Sequence, residues 1–238
     1  MLVWLASYPR SGNTFLRIVL HRLYGVRTSV IYDVDGVAER LGPEMVGFEE
    51  RPASIAAMRA SAQVHFIKTH RRRDDDVDDW DKAICLVRDG RESLVSWARQ
   101  RCERPGHDFR TELQRMLTMD KVRGTSTWGR TVLSWVKPPA PHRVVLRYED
   151  LVRDPRGSAH EMVLRLGLVM SPLAGAALPS FAELHEVDPR FFRRGRTGTY
   201  RDELPPDLHQ LFWSRPENVE AMAILGYPDG PHHLAERH

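Results

Sequence analysis

The chain has 238 residues, 42% hydrophobic and 28% charged, with 35 Lys and Arg against 32 Asp and Glu for a formal charge of +3. That length suits one domain with a sizeable core, and the composition excludes intrinsic disorder. So small a charge excess, without a basic stripe interleaved with aromatics, argues against a nucleic-acid protein and suits an anionic small ligand.

In chain order, Leu2 to Ala6 is the first strand-like run. Tyr8, Pro9 and Arg10 interrupt it too early for a signal peptide or a membrane span. Phe15, Ile18, Val19 and Leu23 recur at helical spacing, predicting a helix over Gly12 to Tyr24 with its apolar stripe on a sheet. Further strands are expected at Val64 to Lys68, Ala83 to Val87 and Arg143 to Arg147, with helices at Glu92 to Arg101 and Ser158 to Leu168, the last ending near Gly167. Such alternation reads as α/β with a largely parallel sheet. Two cysteines, Cys85 and Cys102, cannot build a disulfide framework. Cys85 reads as a buried thiol, and a reducing, cytoplasmic setting is expected. From Arg99 to Pro141 the pattern loosens, predicting an irregular segment, lid or acceptor wall, in which Trp128 and Trp135 either line a pocket or pack in the core. His232, His233 and His238 lie at irregular spacing in a tail expected to be flexible from about residue 228, with no metal site.

The strongest chemical signal is Tyr8-Pro9-Arg10-Ser11-Gly12-Asn13-Thr14, between a strand and a helix. Unpaired N–H groups at a helix start, the positive end of its dipole and a glycine that lets backbone approach make an anion cradle, to which Arg10, Ser11 and Thr14 add donors. A strand-to-helix turn needs such residues anyway, so the loop alone leaves function open. The Walker A pattern is absent, with Asn13 where its lysine would stand. Lys68-Thr69-His70 closes another strand, where ligands bind in open α/β sheets, and an imidazole there can take a proton near neutrality. Arg88 ends a third strand and Ser96 follows on the next helix. A strand-end arginine paired with Asp89 is the structural alternative.

These segments together resemble the PAPS-dependent sulfotransferases. Tyr8 to Phe15 resembles that family's 5′-phosphosulfate loop, with Arg10 for the usual lysine and Phe15 for a tryptophan. Arg10 keeps the charge but cannot give up a proton. Lys68-Thr69-His70 is similar to the segment whose histidine is the family's base. Arg88 and Ser96 stand at the separation of its 3′-phosphate pair. Tyr148, in Tyr148-Glu149-Asp150-Leu151, is implied near adenine, Phe181 opposite Phe15, and Arg193, Arg194 and Gly195 around the 3′-phosphate, with Arg201 at a lysine position. The matches run from residue 3 to about 213.

The resemblance implies a P-loop-like three-layer α/β fold over residues 1–238, a largely parallel sheet flanked by helices. It implies transfer of the sulfuryl group of 3′-phosphoadenosine 5′-phosphosulfate (PAPS) to a hydroxyl of a small molecule, natural product or glycan, with 3′-phosphoadenosine 5′-phosphate (PAP) as product and no metal. His70 would be the base. Lys68, Arg10 and the Ser11 to Thr14 loop, Asn13 included, would clamp sulfate and 5′-phosphate. A nucleotide-dependent kinase and a non-catalytic nucleotide-binding module stay open as alternatives. Arg71, Arg72 and Arg73, followed by Asp74 to Asp76, read as a self-neutralising loop or as a contact for an anionic acceptor. Oligomeric state is not readable, and a homodimer is compatible with the chain.

Overall fold

The computed structural model describes residues 1–52, 54–120, 125–193 and 198–227. The chain opens with β1 (Leu2–Ser7) and α1 (Asn13–Tyr24), then β2 (Thr28–Val30) and three short helices, α2 (Gly36–Leu41), α3 (Pro43–Val46) and α4 (Ile55–Ala60). Next come β3 (His65–Thr69), β4 (Lys82–Val87), α5 (Gly90–Arg101), α6 (Phe109–Thr118), α7 (Trp128–Val136) and β5 (Arg143–Arg147). The remaining elements among the described residues are helices: α8 (Tyr148–Arg153), α9 (Pro155–Arg165), α10 (Phe181–Val187), α11 (Tyr200–Glu203), α12 (Pro206–Trp213) and α13 (Pro216–Ile224).

All pairings in the sheet are parallel, in the order β2-β3-β1-β4-β5. Alternation along β1 and β4 sends side chains to two layers, as a pleated strand must. Leu2, Trp4 and Ala6 with Ala83, Cys85 and Val87 meet a core built with α5, α6, α7, α12 and α13. Val3 and Leu5 with Ile84 and Leu86 meet α1, α8 and α9 on the other face. This is a three-layer α/β fold with a parallel central sheet, as expected.

Two readings of the sequence change, and one alternative it left open closes on the core. Thr28–Val30 is a strand that the periodicity did not show, because three residues carry no period. The stretch expected to be irregular holds two amphipathic helices, α6 and α7. Trp128 and Trp135 are 1% and 3% exposed in the first core. Trp128 packs where a Cβ on Gly90 would come within 2.6 Å of its ring, and neither tryptophan lines the cavity described below. The tail from residue 228 lies outside the described residues.

Because all five strands are parallel, their carboxyl ends share one edge. The chain leaves β1 toward β2 and leaves β4 toward β5, so the loops after these neighbouring strands diverge and open a crevice. A cavity of about 890 Å³ occupies it, lined among others by Arg10, Thr14, Lys68, His70, Arg88 and Tyr148.

Candidate active site

Buried β1 passes into α1 through five residues, and the turn uses two left-handed positions, Arg10 at φ 64° and Gly12 at φ 99°. At Arg10 that conformation is uncommon for a side chain with a Cβ, and it sits at the cavity wall. Gly12 is required twice over, since a Cβ there would lie 2.3 Å from the Tyr148 ring. Gly12 supplies no side-chain cap, so the first N–H groups of α1 remain available to an anion. Thr14 and Phe15 line the cavity. Ser11 and Asn13 turn inward. The Ser11 hydroxyl lies 3.2 Å from that of Ser93, and the Asn13 amide donates to the Leu5 carbonyl and to the Ser7 hydroxyl at 3.0 and 3.1 Å. Asn13 therefore anchors the loop to β1 rather than reaching for a phosphate as a Walker lysine would.

The register of β1 with β3 aligns Leu5 with Lys68 and Ala6 with Thr69, which brings His70 beside Ser7. His70 Nδ1 lies 2.9 Å from the Ser7 carbonyl oxygen and 3.1 Å from its hydroxyl, and the His70 N–H donates to the Tyr32 hydroxyl at 2.6 Å. A carbonyl only accepts, so Nδ1 carries the proton and Nε2 of the neutral ring keeps its lone pair. Burial, and then the neighbouring Lys68 charge, push the imidazole down to about 3, well below the near-neutral titration expected from the sequence, so the resting ring is the neutral base form. Lys68 itself is 5% exposed, and burial lowers its ammonium below the usual lysine range, with Asp35 pushing the other way.

Across the loop lies a second set. Arg88 donates to the Arg10 carbonyl and to Glu92, both at 3.1 Å, and its guanidinium stacks 4.5 Å from the Tyr148 ring. The expected alternative pairing of Arg88 with Asp89 does not form. Asp89 caps α5 and pairs with Arg91 at 2.7 Å. Arg10 Nε donates to Ser96 at 3.2 Å, its Nη2 to the Phe191 carbonyl at 2.8 Å, and its plane covers the Phe191 ring at 4.3 Å. Burial, with Arg88 and Arg40 adding to it, lowers the Arg10 guanidinium to about 10. Arg193 lines the cavity and is held by Glu203 at 3.0 Å, and Phe181 lines it from the N-terminus of α10, 43% exposed.

The cavity thus gathers Arg10, Gly12, Asn13, Thr14, Phe15, Lys68, His70, Arg88, Ser96, Tyr148, Phe181 and Arg193. The Ser11 side chain is not among them, and Arg194 and Gly195 lie outside the described residues. Arg71 pairs with Asp74 and Asp76, Arg73 pairs with Asp79, and none of the three arginines after His70 lines the cavity. Reading the sequence missed the carboxylates that organise these cations. Glu92, 2% exposed, accepts from Arg88, from the Thr199 hydroxyl and from the Tyr200 N–H, the last two at 3.0 Å. Asp35 accepts from Arg17 at 2.6 Å and from Lys68 at 3.3 Å. The available signal was Arg17, a charge inside a run of apolar helix residues that needs a buried partner.

A family model described as the sulfotransferase domain matches residues 2–218. A WSCD family member of Aedes aegypti is 29% identical over 167 residues, covering 68% of this chain and 49% of the relative. One of Drosophila pseudoobscura pseudoobscura is 30% identical over 160 residues, covering 64% and 46%. The chain spans about half the length of these curated relatives. Among solved structures, mouse sulfotransferase SULT7A1 complexed with PAP superposes with a TM-score of 0.69 at 19% identity, covering 95% of this chain and 89% of that one. Retinol dehydratase in complex with androsterone and inactive cofactor PAP follows at 0.58 and 21% identity, covering 96% and 82%. At these identities the solved structures speak to the fold, which is that of the sulfotransferases. With a family model matched across nearly its whole length, the chain belongs to the sulfotransferase-domain family.

Proposed function

We propose that this protein takes the sulfuryl group from PAPS and transfers it to a hydroxyl of a small-molecule or natural-product acceptor, releasing PAP. The observation that carries the reading is the meeting of three sets of groups in one cavity: an uncapped helix start behind a glycine loop, Lys68 beside a histidine whose Nε2 is free to accept a proton, and the Arg88, Ser96 and Arg193 group. In the reaction, His70 Nε2 takes the acceptor's hydroxyl proton as that oxygen attacks sulfur. The bond between sulfur and the bridging oxygen breaks, leaving its electron pair on the 5′-phosphate. Charge gathers on the sulfuryl and leaving oxygens, where the Lys68 ammonium, the Arg10 guanidinium and the N–H groups of α1 stabilise it.

Arg88, Ser96 and Arg193 would hold the 3′-phosphate. Phe15, Phe181 and Tyr148 would surround the adenine. Arg10 bridges the two sets, since it already contacts Ser96. A kinase reading has no support from Asn13, which is tied back to β1. Tyr32, Val34 and Val37 line the cavity and offer a partly apolar wall to an acceptor, alongside Gln100, Glu103 and Arg104.

The test is calorimetric titration with PAP, beside ATP with magnesium, followed by screening of acceptor hydroxyls with labelled PAPS. Binding of PAP without magnesium and label transfer to a hydroxyl are the expected results. No PAP binding, or preference for ATP with magnesium, overturns the reading.

A further inference from the structure

Behind the cavity wall lies a charge cluster that reaches the cavity through Lys68. Lys68 lines the cavity, whereas Asp35 and Arg17 do not. The Asp35 side chain is fully buried, as is that of Arg17, and the Lys68 side chain is 7% exposed. Each Asp35 oxygen has its own duty. Oδ2 accepts from Arg17 at 2.6 Å, while Oδ1 accepts from Lys68 at 3.3 Å and from the Val37 N–H at 3.2 Å, capping α2. Arg17 is held in turn by its Nε donating to Thr28 at 2.7 Å, from the edge strand β2. The carboxylate is therefore fixed by a short bond to an immobile guanidinium and by a helix cap. Lys68 is attached to it only by one long bond.

That asymmetry has a chemical use. A buried ammonium without a counter-charge loses its proton or turns away from the interior. Asp35, which does not itself line the cavity, supplies the counter-charge, and Arg17 keeps Asp35 from neutralising Lys68 outright, because it shares the same carboxylate. Two cations on one carboxylate leave a net positive charge directed at the cavity. Resting on the donor reading above, we propose that Asp35 is a positioning residue for sulfuryl transfer: held from behind by Arg17, it keeps Lys68 charged and aimed at the sulfuryl group of the donor.

The charged and titratable groups facing Lys68 are Asp35 before α2, Arg17 on α1 and His70 beyond the end of β3. Burial and Arg17 both lower the Lys68 ammonium, and Asp35 raises it. Removing the Asp35 charge leaves only the lowering influences, so Lys68 must shed its proton at a lower pH than in the unsubstituted chain. A purely structural role for Asp35 predicts no such displacement.

The experiment titrates PAPS and PAP calorimetrically from about pH 6 to about pH 10, spanning the ordinary lysine value and lower ones. The proteins are the unsubstituted chain, Asp35→Asn, Lys68→Met and the Asp35→Asn/Lys68→Met pair. PAP lacks the sulfuryl group and reports folding and donor-site integrity. Asp35→Asn is expected still to bind PAP, which Arg10, Arg88, Ser96 and the helix start hold besides Lys68, and to lower the PAPS-to-PAP affinity ratio about 10-fold or more, the worth of a charge-assisted hydrogen bond. It should also move the alkaline fall of that ratio to lower pH, because the raising influence of Asp35 is gone. In the Lys68→Met background, Asp35→Asn should change the ratio no further. Equal losses in both backgrounds, or coincident pH profiles, overturn the proposal. Should Asp35→Asn alone fail to bind PAP, the Arg17→Met/Asp35→Asn pair, which strands no buried guanidinium, carries the same test with a smaller shift in the same direction. Absence of PAP binding by the unsubstituted chain overturns the donor reading and this role with it, whereas intact PAP binding with unmoved profiles overturns the role of Asp35 alone.

Discussion

His70 Nδ1 lies 2.9 Å from the main-chain carbonyl oxygen of Ser7, at the ends of two neighbouring parallel strands. A main-chain carbonyl cannot be titrated or rotated away without breaking the sheet, so it holds the ring in one tautomer more firmly than a side chain would. Replacing His70 by Gln is expected to lower sulfuryl transfer by about 10² to 10⁴, the usual loss of a general base. Rates with labelled PAPS check this, and near-normal turnover would remove the base assignment.

The same imidazole carries a prediction about stability. Its value falls from 6.5 to about 3 on folding. Between those values the unfolded chain binds a proton that the folded chain refuses, so stability rises with pH across that window. The contribution of the neutral ring is complete above about 6.5 and is lost as pH falls toward about 3. Urea unfolding of His70→Gln across the window should show a shallower acid loss than the unsubstituted chain, and equal slopes would contradict the shift.

Gly12→Ala should disable the loop. A positive φ costs a residue with a Cβ about 1 to 3 kcal/mol, and the added methyl group meets Tyr148. Denaturant unfolding should show a loss of at least that size together with weakened PAP binding. Gly12→Ala/Tyr148→Ala should recover the steric part and not the backbone part. Full recovery would mean that φ carries no strain.

Glu92→Ala leaves Arg88 without its carboxylate and the Thr199 hydroxyl and Tyr200 N–H without their acceptor. Breaking a buried pair of this kind costs about 3 to 5 kcal/mol. Thermal unfolding should fall accordingly, and PAP affinity should fall with it because Arg88 loses its orientation. A stable variant with unchanged affinity would show that Glu92 is not what orients Arg88.

Serine at Arg71, Arg72 and Arg73 together should leave PAP affinity and acceptor KM unchanged, because Arg71 and Arg73 serve the aspartates of their own loop and none of the three lines the cavity. A raised KM for an anionic acceptor would return these arginines to the site.

Local sequence was enough for the strand-loop-helix units. The run from Leu2 through Gly12 to Tyr24, the Lys68-Thr69-His70 strand end and the Arg88 strand end each combine a short apolar run with turn or cap residues, signals that act over a few residues. Those units, with the sheet's parallel sense, already brought His70, Lys68, Arg10 and Arg88 to one edge. Tertiary structure alone decided which charges meet. Asp35 comes to Lys68 from 33 residues away, and Thr199 comes to Glu92 from 107. It also sent the Ser11 hydroxyl inward to Ser93, put Trp128 and Trp135 in the core and paired Arg10 with Ser96. Burial sets these pairings, because a charge withdrawn from water must find an opposite charge or a hydrogen-bond partner wherever the fold places one, and nothing in the neighbouring residues says where that will be.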